Sequence, residues 1–367
     1  MIFSSSDLVK ALPDNYFSAM DDKVNLYKSK GIDVINLAAG NPDQPTPAHI
    51  ISALKEAVDQ PINQGYPPFH GKKSTLEAVA AFYKREYQVE LNPGDWLLTT
   101  DPAYPQYYSA AALARAHIHT IPLDEKHGFL PDYTTVPEEI AEQVKLLMIN
   151  YPNNPTGAVA TADFLTKTLD YAARYQFPVM NDFAYGALGF DGRKPISLLQ
   201  IPGGKEYGVE TYTASKTYNM AGWRFGFAVG NSSIIGALKH YHTHAYSTVF
   251  GAVQDAGAVA LLGTQEPVRE LAALYERRRD VLIAALRGIG WDVAAPQGSF
   301  FAWFKVPEGY TSASFADFLL DEAHVAVAPG EGFGRAGASH VRVSLVNSEE
   351  RLLEAVQRIA ATGIFQV

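Results

Sequence analysis

Short apolar runs alternate with helical patterns through the middle of this 367-residue sequence, and this alternation restricts the possible folds more than any other feature. Five runs have the length of buried strands: Trp96–Thr100, Lys145–Ile149, Pro178–Met180, Glu210–Ala214 and Phe225–Val229. Residues 162–175 have the pattern of a helix that ends before Pro178, and Ser74-Thr-Leu-Glu77 reads as a capping box for a helix to about Tyr87. The alternation predicts an α/β sheet covered by helices.

The last third of the sequence has a different pattern. An amphipathic helix is predicted over 266–287, followed by short strands at 298–304 and 340–346 and helices near 314–323 and 349–360, an α+β arrangement. The run Arg277-Arg278-Arg279 on the long helix is expected to lie on its solvated face. Because a single core stops growing at roughly 250–300 residues, we expect two domains. The large one covers 45–249, and the small one is formed by 1–44 and 250–367.

Composition and charge exclude several classes of protein. Lys+Arg 30 against Asp+Glu 39 gives a net charge of -9, and no segment combines basic residues with aromatics, which argues against a nucleic-acid partner. The chain has no cysteine, which excludes disulfides and thiolate metal sites. No apolar stretch approaches the roughly 18 residues of a membrane span, and residues 1–7 lack the features of a signal peptide. We therefore expect a cytoplasmic protein with no membrane partner.

Two patterns resemble binding motifs but lack the context that those motifs need. Residues 332–337 spell a dinucleotide fingerprint, yet a strand and not a helix is predicted after them. His240, His242 and His244 are close in sequence, but no nearby carboxylate or cysteine completes a zinc site. We predict neither a dinucleotide nor a metal.

Polar residues follow the predicted strands at the points where ligands bind in open α/β sheets, outside the carboxyl ends of the strands. Tyr104 follows the first run, Asn154 the second, Asp182 and Tyr185 the third, and Lys216 the fourth. Each also has an ordinary structural explanation: an Asn in a turn, an Asp that caps the next helix, a Tyr in the core. Taken singly, the segments leave both interpretations open.

The segment around Lys216 suggests a cofactor anchor. Thr213 and Ser215 precede this lysine, and Arg224 follows eight residues later. A lysine in an apolar pocket can lose its proton and attack a carbonyl, while hydroxyls and a guanidinium can hold a phosphate dianion. Pyridoxal phosphate needs both functions. A carboxylate such as Asp182 would keep its ring nitrogen protonated, which makes the ring an electron sink, and Tyr185 would reach the ring hydroxyl.

A further candidate lies in the last predicted strand. His340, Arg342 and Ser344 share one face of that strand, and the planar guanidinium of Arg342 suits a substrate carboxylate. An arginine on the wet face of an edge strand is an equally good interpretation of this segment.

In their order and spacing these motifs resemble the fold-type I, class I/II pyridoxal-phosphate-dependent aminotransferases, from about residue 30 to the C-terminus. The resemblance implies a large domain with a mixed, mostly parallel, seven-stranded-type sheet, a smaller α+β domain, and a homodimer. It also implies a role for each candidate: Lys216 as the Schiff-base lysine, Asp182 at the pyridine nitrogen, Asn154 and Tyr185 at the ring hydroxyl, Tyr104 stacked on the ring, Thr213, Ser215 and Arg224 at the phosphate, Tyr66 at the phosphate of the neighbouring subunit, and Arg342 with the backbone around Gly40 at the substrate carboxylate.

The activity implied by the resemblance is amino-group transfer between an L-amino acid and a 2-oxo acid, 2-oxoglutarate or pyruvate, with ping-pong kinetics and Lys216 moving the Cα proton. Two alternatives remain open: a lyase or decarboxylase on the same scaffold, and, if a segment is truly deleted at Pro93–Gly94, a catalytically weak ligand-binding module. Side-chain specificity is not readable from the sequence, although the overall pattern resembles bacterial aminotransferases of amino-acid biosynthesis, including those acting on diaminopimelate derivatives.

The chain departs from that family between Tyr87 and Asp101. There the family carries a strand, a Gly/Ser-rich turn and a helix whose N-terminus binds the phosphate, whereas this chain has a short connection with Pro93–Gly94 at its centre. The absent elements need roughly two dozen residues. Two explanations are open: a real deletion, which would weaken cofactor binding, or a sequence that joins residues from either side of a missing stretch. We adopt the second as a hypothesis, because the flanking motifs are intact and loss of a central strand would expose the sheet.

Overall fold

The computed structural model describes residues 16–40, 42–63, 72–75, 77–78, 99–113, 117–245 and 248–365. Tyr66, Pro93 and Gly94 lie outside these ranges. The predicted role of Tyr66 and the hypothesis about Pro93–Gly94 therefore stay predictions.

Twelve helices have described bounds. They are α1 (Tyr16–Ser29), α2 (Ala48–Val58), α3 (Gln106–Leu113), α4 (Glu138–Ala141), α5 (Ala162–Tyr175), α6 (Gly204–Tyr207), α7 (Ala214–Thr217), α8 (Ser232–Ala245), α9 (Gly251–Leu262), α10 (Glu266–Gly288), α11 (Ser312–Glu322) and α12 (Glu349–Ala361). Residues 73–75 are also helical, so Ser74 lies inside a helical turn and does not cap it as the sequence pattern predicted.

The strands are short. They are β1 (Ile35–Asn36), β2 (Thr99–Asp101), β3 (Thr120–Pro122), β4 (Leu147–Ile149), β5 (Val179–Asp182), β6 (Gly208–Thr213), β7 (Gly226–Gly230), β8 (Phe301–Lys305), β9 (Val325–Ala326), β10 (Ala328–Pro329) and β11 (His340–Ser344).

Local sequence sets both ends of α5. Thr161 Oγ1 accepts a hydrogen bond from Phe164 N at 3.1 Å, which satisfies one of the free N–H groups at the start of the helix. Gln176 ends the helix in the left-handed conformation, with φ 57°. Its buried side chains recur at helical spacing and face the sheet: Phe164, Leu165, Thr168, Leu169 and Ala172.

The strands of the middle region form sheets of the mixed, mostly parallel type that the family resemblance implied; within the described residues they make one four-stranded and one two-stranded sheet. β4, β5 and β6 are parallel in that order, and β7 pairs with β6 in antiparallel orientation. β2 and β3 form a parallel pair, and β2 lies beside β4. Because the parallel strands run in one direction, the residues after β2, β4, β5 and β6 meet at one edge of the sheet.

The C-terminal strands form a separate antiparallel sheet with β11 between β10 and β8, while β1 pairs with β9. One buried cluster joins side chains from both ends of the chain, such as Ile35, Tyr275, Phe304, Val343 and Ile359. Two further clusters lie against the mixed sheet. We propose that these cores correspond to a large domain at 45–249 and a small domain formed by 1–44 and 250–367, with α9 packed across the proposed boundary against α2.

The expectation of a solvated arginine run on α10 is correct for Arg277 only. Arg278 and Arg279 are each only 4% exposed. Arg278 pairs with Asp43 at 2.8 Å and Arg279 with Asp191 at 2.7 Å, so both charges are neutralised where they are buried. Their partners come from distant segments, which a helical pattern does not reveal.

In the described part of the chain no helix is long and apolar enough to cross a membrane.

Candidate active site

A cavity of about 650 Å³ opens at the edge of the mixed sheet where the parallel strands end. Every predicted site residue within the described ranges lines it: Gly40, Tyr104, Asn154, Asp182, Tyr185, Thr213, Ser215, Lys216, Arg224 and Arg342. Segments between Gly40 and Arg342 that are distant in sequence therefore line the same cavity. The polar residues predicted at separate strand ends lie together, as expected for parallel strands.

Lys216 lies on α7, directly after β6. Its Nζ donates to the carbonyl oxygen of Gly40 at 2.8 Å and lies 5.5 Å from the centroid of the Phe300 ring. Burial, reinforced by the positive charges of Arg342 and Arg224, lowers the pKa of Lys216 to about 8, while Asp182 opposes the shift. A substantial fraction of this amine is therefore neutral near physiological pH, as a nucleophile and a proton acceptor require.

Asp182 ends β5 and turns its carboxylate into the cavity. Oδ2 accepts a hydrogen bond from the hydroxyl of Tyr107, and Oδ1 lies 3.5 Å from Thr211 Oγ1. Burial raises the pKa of Asp182, and these donors together with the nearby charge of Lys216 oppose that rise. Residues 184–187 form turns and not a helix, so the alternative in which Asp182 caps a helix is wrong.

Arg342 lies in the middle strand of its sheet and is only 2% exposed, so the edge-strand alternative is wrong. Nη1 donates to Asn154 Oδ1 and Nη2 to the carbonyl oxygen of Ala38, each at 3.0 Å. The guanidinium carbon lies 3.9 Å from the centroid of the Phe301 ring, a cation–π contact. Burial lowers the pKa of Arg342 to about 10, so the side chain keeps its charge at neutral pH.

The loop after β4 holds Asn154 in place through its own side chains. Asn150 Oδ1 accepts from the backbone N–H of Asn154 at 2.8 Å, and Asn153 Oδ1 accepts from that of Thr156 at 3.0 Å. Gly157 closes the loop with φ 72°, a conformation that favours glycine. Asn154 is thus held at the strand end, as the sequence predicted, with its Oδ1 turned to Arg342.

Hydroxyls and a guanidinium line another part of the cavity. Thr213 Oγ1 donates to Ser215 Oγ at 2.9 Å and accepts from the backbone N–H of Ser215 at 3.1 Å. Arg224 has a left-handed backbone, with φ 54°, and its Nη1 donates to the carbonyl oxygen of Ala221 at 3.0 Å. These groups offer several donors to an anion.

Aromatic side chains form much of the remaining wall. The ring of Tyr185 packs edge-on against Phe300 and Phe301, with centroids 5.5 and 5.9 Å away. Tyr104 packs edge-on against Tyr107 at 5.7 Å. The sequence reasoning assigned no role to Tyr107 or Phe301. For Tyr107 a signal was present, since it lies three residues after Tyr104 and so on the same side of a helical turn.

The chemistry of these residues fits pyridoxal phosphate. A lysine of lowered pKa, a buried carboxylate, and a group of hydroxyls beside Arg224 match the aldehyde, the ring nitrogen and the phosphate of that molecule. Within the described ranges no group of three His, Cys, Asp or Glu side chains is placed to hold a metal ion.

The chain resembles known proteins over its whole length. Residues 32–95 and 88–359 match the family described as "Aminotransferase class I and II". The chain is 51% identical to the L-glutamine–4-(methylsulfanyl)-2-oxobutanoate aminotransferase of Bacillus subtilis, over 100% of this chain and 98% of that protein. It is 42% identical to the LL-diaminopimelate aminotransferase of Aquifex aeolicus, over 98% and 99% of the two chains. Substrate-bound BacF of Bacillus subtilis has a TM-score of 0.92 at 42% identity, over 99% and 98% of the two chains.

The family match divides at the connection around Pro93–Gly94, and the alignment with the first relative is longer than this chain. The family match falls into two blocks that meet at residues 88–95. The alignment with the first relative runs over 389 residues, whereas this chain has 367. That relative therefore carries residues without a counterpart in this chain.

Proposed function

The chain belongs to the class I and II aminotransferases and is a pyridoxal-phosphate-dependent aminotransferase. On that premise we propose that it transfers an amino group between a neutral L-amino acid and a 2-oxo acid, and that the residues of the cavity carry out this reaction. The observation that carries the proposal is the convergence of Lys216, Asp182 and Arg342 on one space. The lyase and decarboxylase alternatives are not favoured, because the relatives that match over the full chain are named aminotransferases.

Pyridoxal phosphate, when bound, supplies an electron sink for the bonds at the substrate Cα. Lys216 would take the proton from the substrate Cα as a base and then, as an acid, give it to the cofactor carbon. Its lowered pKa suits it to both steps. Asp182 would face the ring nitrogen, Asn154 and Tyr185 the ring hydroxyl, and Tyr104 the ring surface. Thr213, Ser215 and Arg224 would hold the phosphate.

Arg342 would bind the carboxylate that all amino acids share. Its contacts to Asn154 and Ala38 fix the guanidinium plane before substrate arrives, which reduces the entropy lost on binding. The backbone at Gly40, which now accepts from Lys216, lies beside it and would complete this subsite.

The substrate side chain that we propose is neutral. Met20, Ala38, Ala39 and Phe301 contribute apolar surface to the cavity. The cations among its described lining residues are Lys216, Arg224 and Arg342, which the proposal assigns to other tasks, and the one carboxylate without an assigned task, Asp21, is exposed. The 51% identical relative is named for glutamine and 4-(methylsulfanyl)-2-oxobutanoate, a neutral pair. We propose the same pair as donor and acceptor here.

A substrate panel tests this proposal. Glutamine, glutamate, alanine and LL-diaminopimelate serve as donors, with 4-(methylsulfanyl)-2-oxobutanoate, 2-oxoglutarate and pyruvate as acceptors. We expect the highest kcat/KM for glutamine with the thioether acceptor, and parallel initial-rate lines from ping-pong exchange. Preference for LL-diaminopimelate with 2-oxoglutarate would overturn the substrate proposal.

The role of Lys216 has its own test. Lys216→Ala should abolish turnover with every substrate pair, whereas Lys205→Ala, at an exposed position of α6, should leave it unchanged. Full activity of the Lys216 variant would contradict the enzyme mechanism altogether.

We also propose a homodimer in which Tyr66 reaches the neighbouring site. Support comes from exposed apolar side chains near that part of the chain: Val58 at the end of α2 is 40% exposed, Ile62 79%, and Phe250 at the start of α9 46%. The contact of Asn63 with Asp255 brings the end of α2 to the first turns of α9, so these side chains lie at one end of the helix pair. A buried interface is the usual explanation for such a patch.

Sedimentation of the holoenzyme tests the dimer. Ile62→Asp should shift the protein toward monomer and weaken cofactor binding, while Leu353→Asp, a similarly exposed apolar position on α12, should leave the mass unchanged. A wild-type monomer at micromolar concentration would contradict this part of the proposal. The cytoplasmic location expected from the sequence stays a prediction, which cell fractionation tests.

A further inference from the structure

The hydroxyl of Tyr107 is a part of the cavity to which the proposed function assigns nothing. Tyr107 lies in the first turn of α3 and lines the cavity, and its hydroxyl donates to Oδ2 of Asp182. Burial and the neighbouring Asp182 charge raise the pKa of Tyr107 well above its ordinary value, so the phenol stays protonated and acts as a donor.

Burial of Asp182 disfavours its charge and raises its pKa. The hydrogen bonds from Tyr107, from the backbone N–H of Ala184 and from Thr211 oppose this rise, that from Tyr107 most strongly. Thr211 Oγ1 is more distant, at 3.5 Å. A carboxylate that must pair with a protonated ring nitrogen has to remain ionised, so loss of the Tyr107 hydroxyl would affect the pairing directly.

The ring of Tyr107 has a second contact. It packs edge-on against Tyr104, with the centroids 5.7 Å apart and the planes at 82°. Tyr104 is the residue proposed to cover the ring face. The side chain of Tyr107 therefore contacts both Asp182, which we assign to the cofactor ring nitrogen, and Tyr104, which we assign to the face of the cofactor ring.

We propose that Tyr107 is a positioning residue that keeps Asp182 ionised and aimed at the cofactor ring nitrogen while its own ring supports Tyr104. The proposal rests on the cofactor role given to Asp182 above, but it does not depend on which amino acid is the substrate.

The titratable groups that face Asp182 come from three elements. Tyr107 and Tyr104 approach from the segment after β2, Lys216 from α7, and Tyr185 from the turn that follows β5. Of these, Lys216 also favours the ionised carboxylate, so removal of the Tyr107 hydroxyl leaves one favourable charge in place. We therefore expect a shift in the behaviour of Asp182 and not its complete neutralisation.

Tyr107→Phe tests the proposal, with Tyr108→Phe as the matched control. Both residues lie on α3 and both lose one hydroxyl, but the hydroxyl of Tyr108 donates to the carbonyl oxygens of Phe333 at 3.0 Å and Thr100 at 3.2 Å, away from Asp182. The readouts are the dissociation constant of pyridoxal phosphate by equilibrium dialysis, the pH dependence of kcat, and the melting temperature of the cofactor-free protein.

For Tyr107→Phe we expect the dissociation constant to rise about tenfold, the effect of losing one hydrogen bond to a charged group. The acid limb of kcat should move to higher pH by about one unit, because an Asp182 without its donor is protonated more easily. KM should change little. Tyr108→Phe should leave the dissociation constant and the acid limb unchanged even if it lowers the melting temperature.

Equal effects of the two variants on cofactor affinity and on the acid limb would overturn the proposal. A double-variant cycle with Asp182→Asn adds a second criterion, since the cost of Tyr107→Phe should nearly disappear in that background. Additive costs would show that Tyr107 does not act through Asp182. If Asp182→Asn itself leaves cofactor affinity and kcat unchanged, the failure lies in the proposed function and not in the role of Tyr107.

Should Tyr107→Phe fail to fold, 3-fluorotyrosine introduced at position 107 keeps the ring and the hydroxyl. The fluorinated phenol is a stronger donor, so the acid limb should move to lower pH. An unchanged acid limb, or a shift to higher pH, would overturn the proposal.

Discussion

Arg342 on β11 donates to Asn154 Oδ1 at 3.0 Å, which connects the C-terminal sheet to the loop after β4 across the floor of the cavity. The two residues lie 188 positions apart in sequence. The guanidinium that we assign to the substrate carboxylate is therefore oriented by a residue that we assign to the cofactor. Displacement of either side chain should disturb both binding functions.

Replacement of Arg342 by lysine should weaken substrate binding more than it slows the chemical step. Lysine keeps the charge but cannot offer two parallel N–H groups, so we expect KM for donor and acceptor to rise roughly 10–100-fold, with a smaller change in kcat. Steady-state kinetics measures both. Arg279→Lys, equally buried and paired with Asp191, should leave KM unchanged while lowering stability. An unaltered KM in Arg342→Lys would remove the carboxylate role.

Replacement of Lys216 by methionine should stabilise the cofactor-free protein in a pH-dependent way. The pKa of Lys216 is about 8 in the folded chain and near its ordinary value of 10.5 when unfolded. Below pH 8 both states are protonated, and the folded state bears the full cost of a buried charge, on the order of 2–3 kcal/mol. Between pH 8 and 10.5 the folded state loses its proton first, so the cost declines.

The free energies of unfolding of the two cofactor-free proteins, measured in urea from pH 7 to 10.5, should therefore converge as pH rises. Other groups that titrate in this pH range contribute equally to both proteins, so their contributions cancel when the two free energies of unfolding are subtracted. A difference that is constant with pH would mean that Lys216 titrates at its ordinary pKa.

Replacement of Arg224 by glutamine should weaken the binding of pyridoxal phosphate but not that of pyridoxal. Loss of one charged contact to the phosphate should raise the dissociation constant of the phosphorylated cofactor roughly 10–100-fold. Arg193→Gln, on an exposed arginine, serves as the control. Equal weakening for both forms of the cofactor would place the effect of Arg224 away from the phosphate.

Replacement of Gly157 by alanine should destabilise the fold more than the same change at Gly192. Both glycines have left-handed backbones, with φ 72° and 71°. At Gly157 an added Cβ would lie 2.7 Å from the carbonyl oxygen of Phe301, whereas at Gly192 it would meet open space. We expect a loss of about 1 kcal/mol at Gly192 from backbone strain and at least about 3 kcal/mol at Gly157. Equal losses in urea unfolding would show that β8 moves freely away from the loop.

The sequence predicted the sheet and its functional edge because both depend on local signals. Apolar runs and prolines mark the strands to within a few residues, and polar side chains after the strands meet wherever parallel strands end. Asn154, Asp182 and Lys216 were predicted in this way, and all three line the cavity. Each of these signals involves only a few neighbouring residues, so it can be read from one sequence without knowledge of the tertiary structure.

The rest depends on contacts between distant segments. The buried pairs of Arg278 with Asp43 and Arg279 with Asp191 join residues 235 and 88 positions apart, which no helical pattern indicates. The central position of β11 is set by its neighbours β8 and β10, so the burial of Arg342 was not readable from the strand itself. The contact of Tyr107 with Asp182 likewise depends on where α3 lies relative to β5.

The contact of Arg342 with the carbonyl oxygen of Ala38 spans 304 positions of the chain. Because a ligand that binds only the native state draws the equilibrium toward it, pyridoxal phosphate would stabilise chains in which these two ends have already met. Closing so long a loop is entropically costly and comes late in folding. During refolding, the rate at which cofactor binding recovers would thus report the late step in which Ala38 and Arg342 come together. The recovery of helix content would report the earlier folding steps.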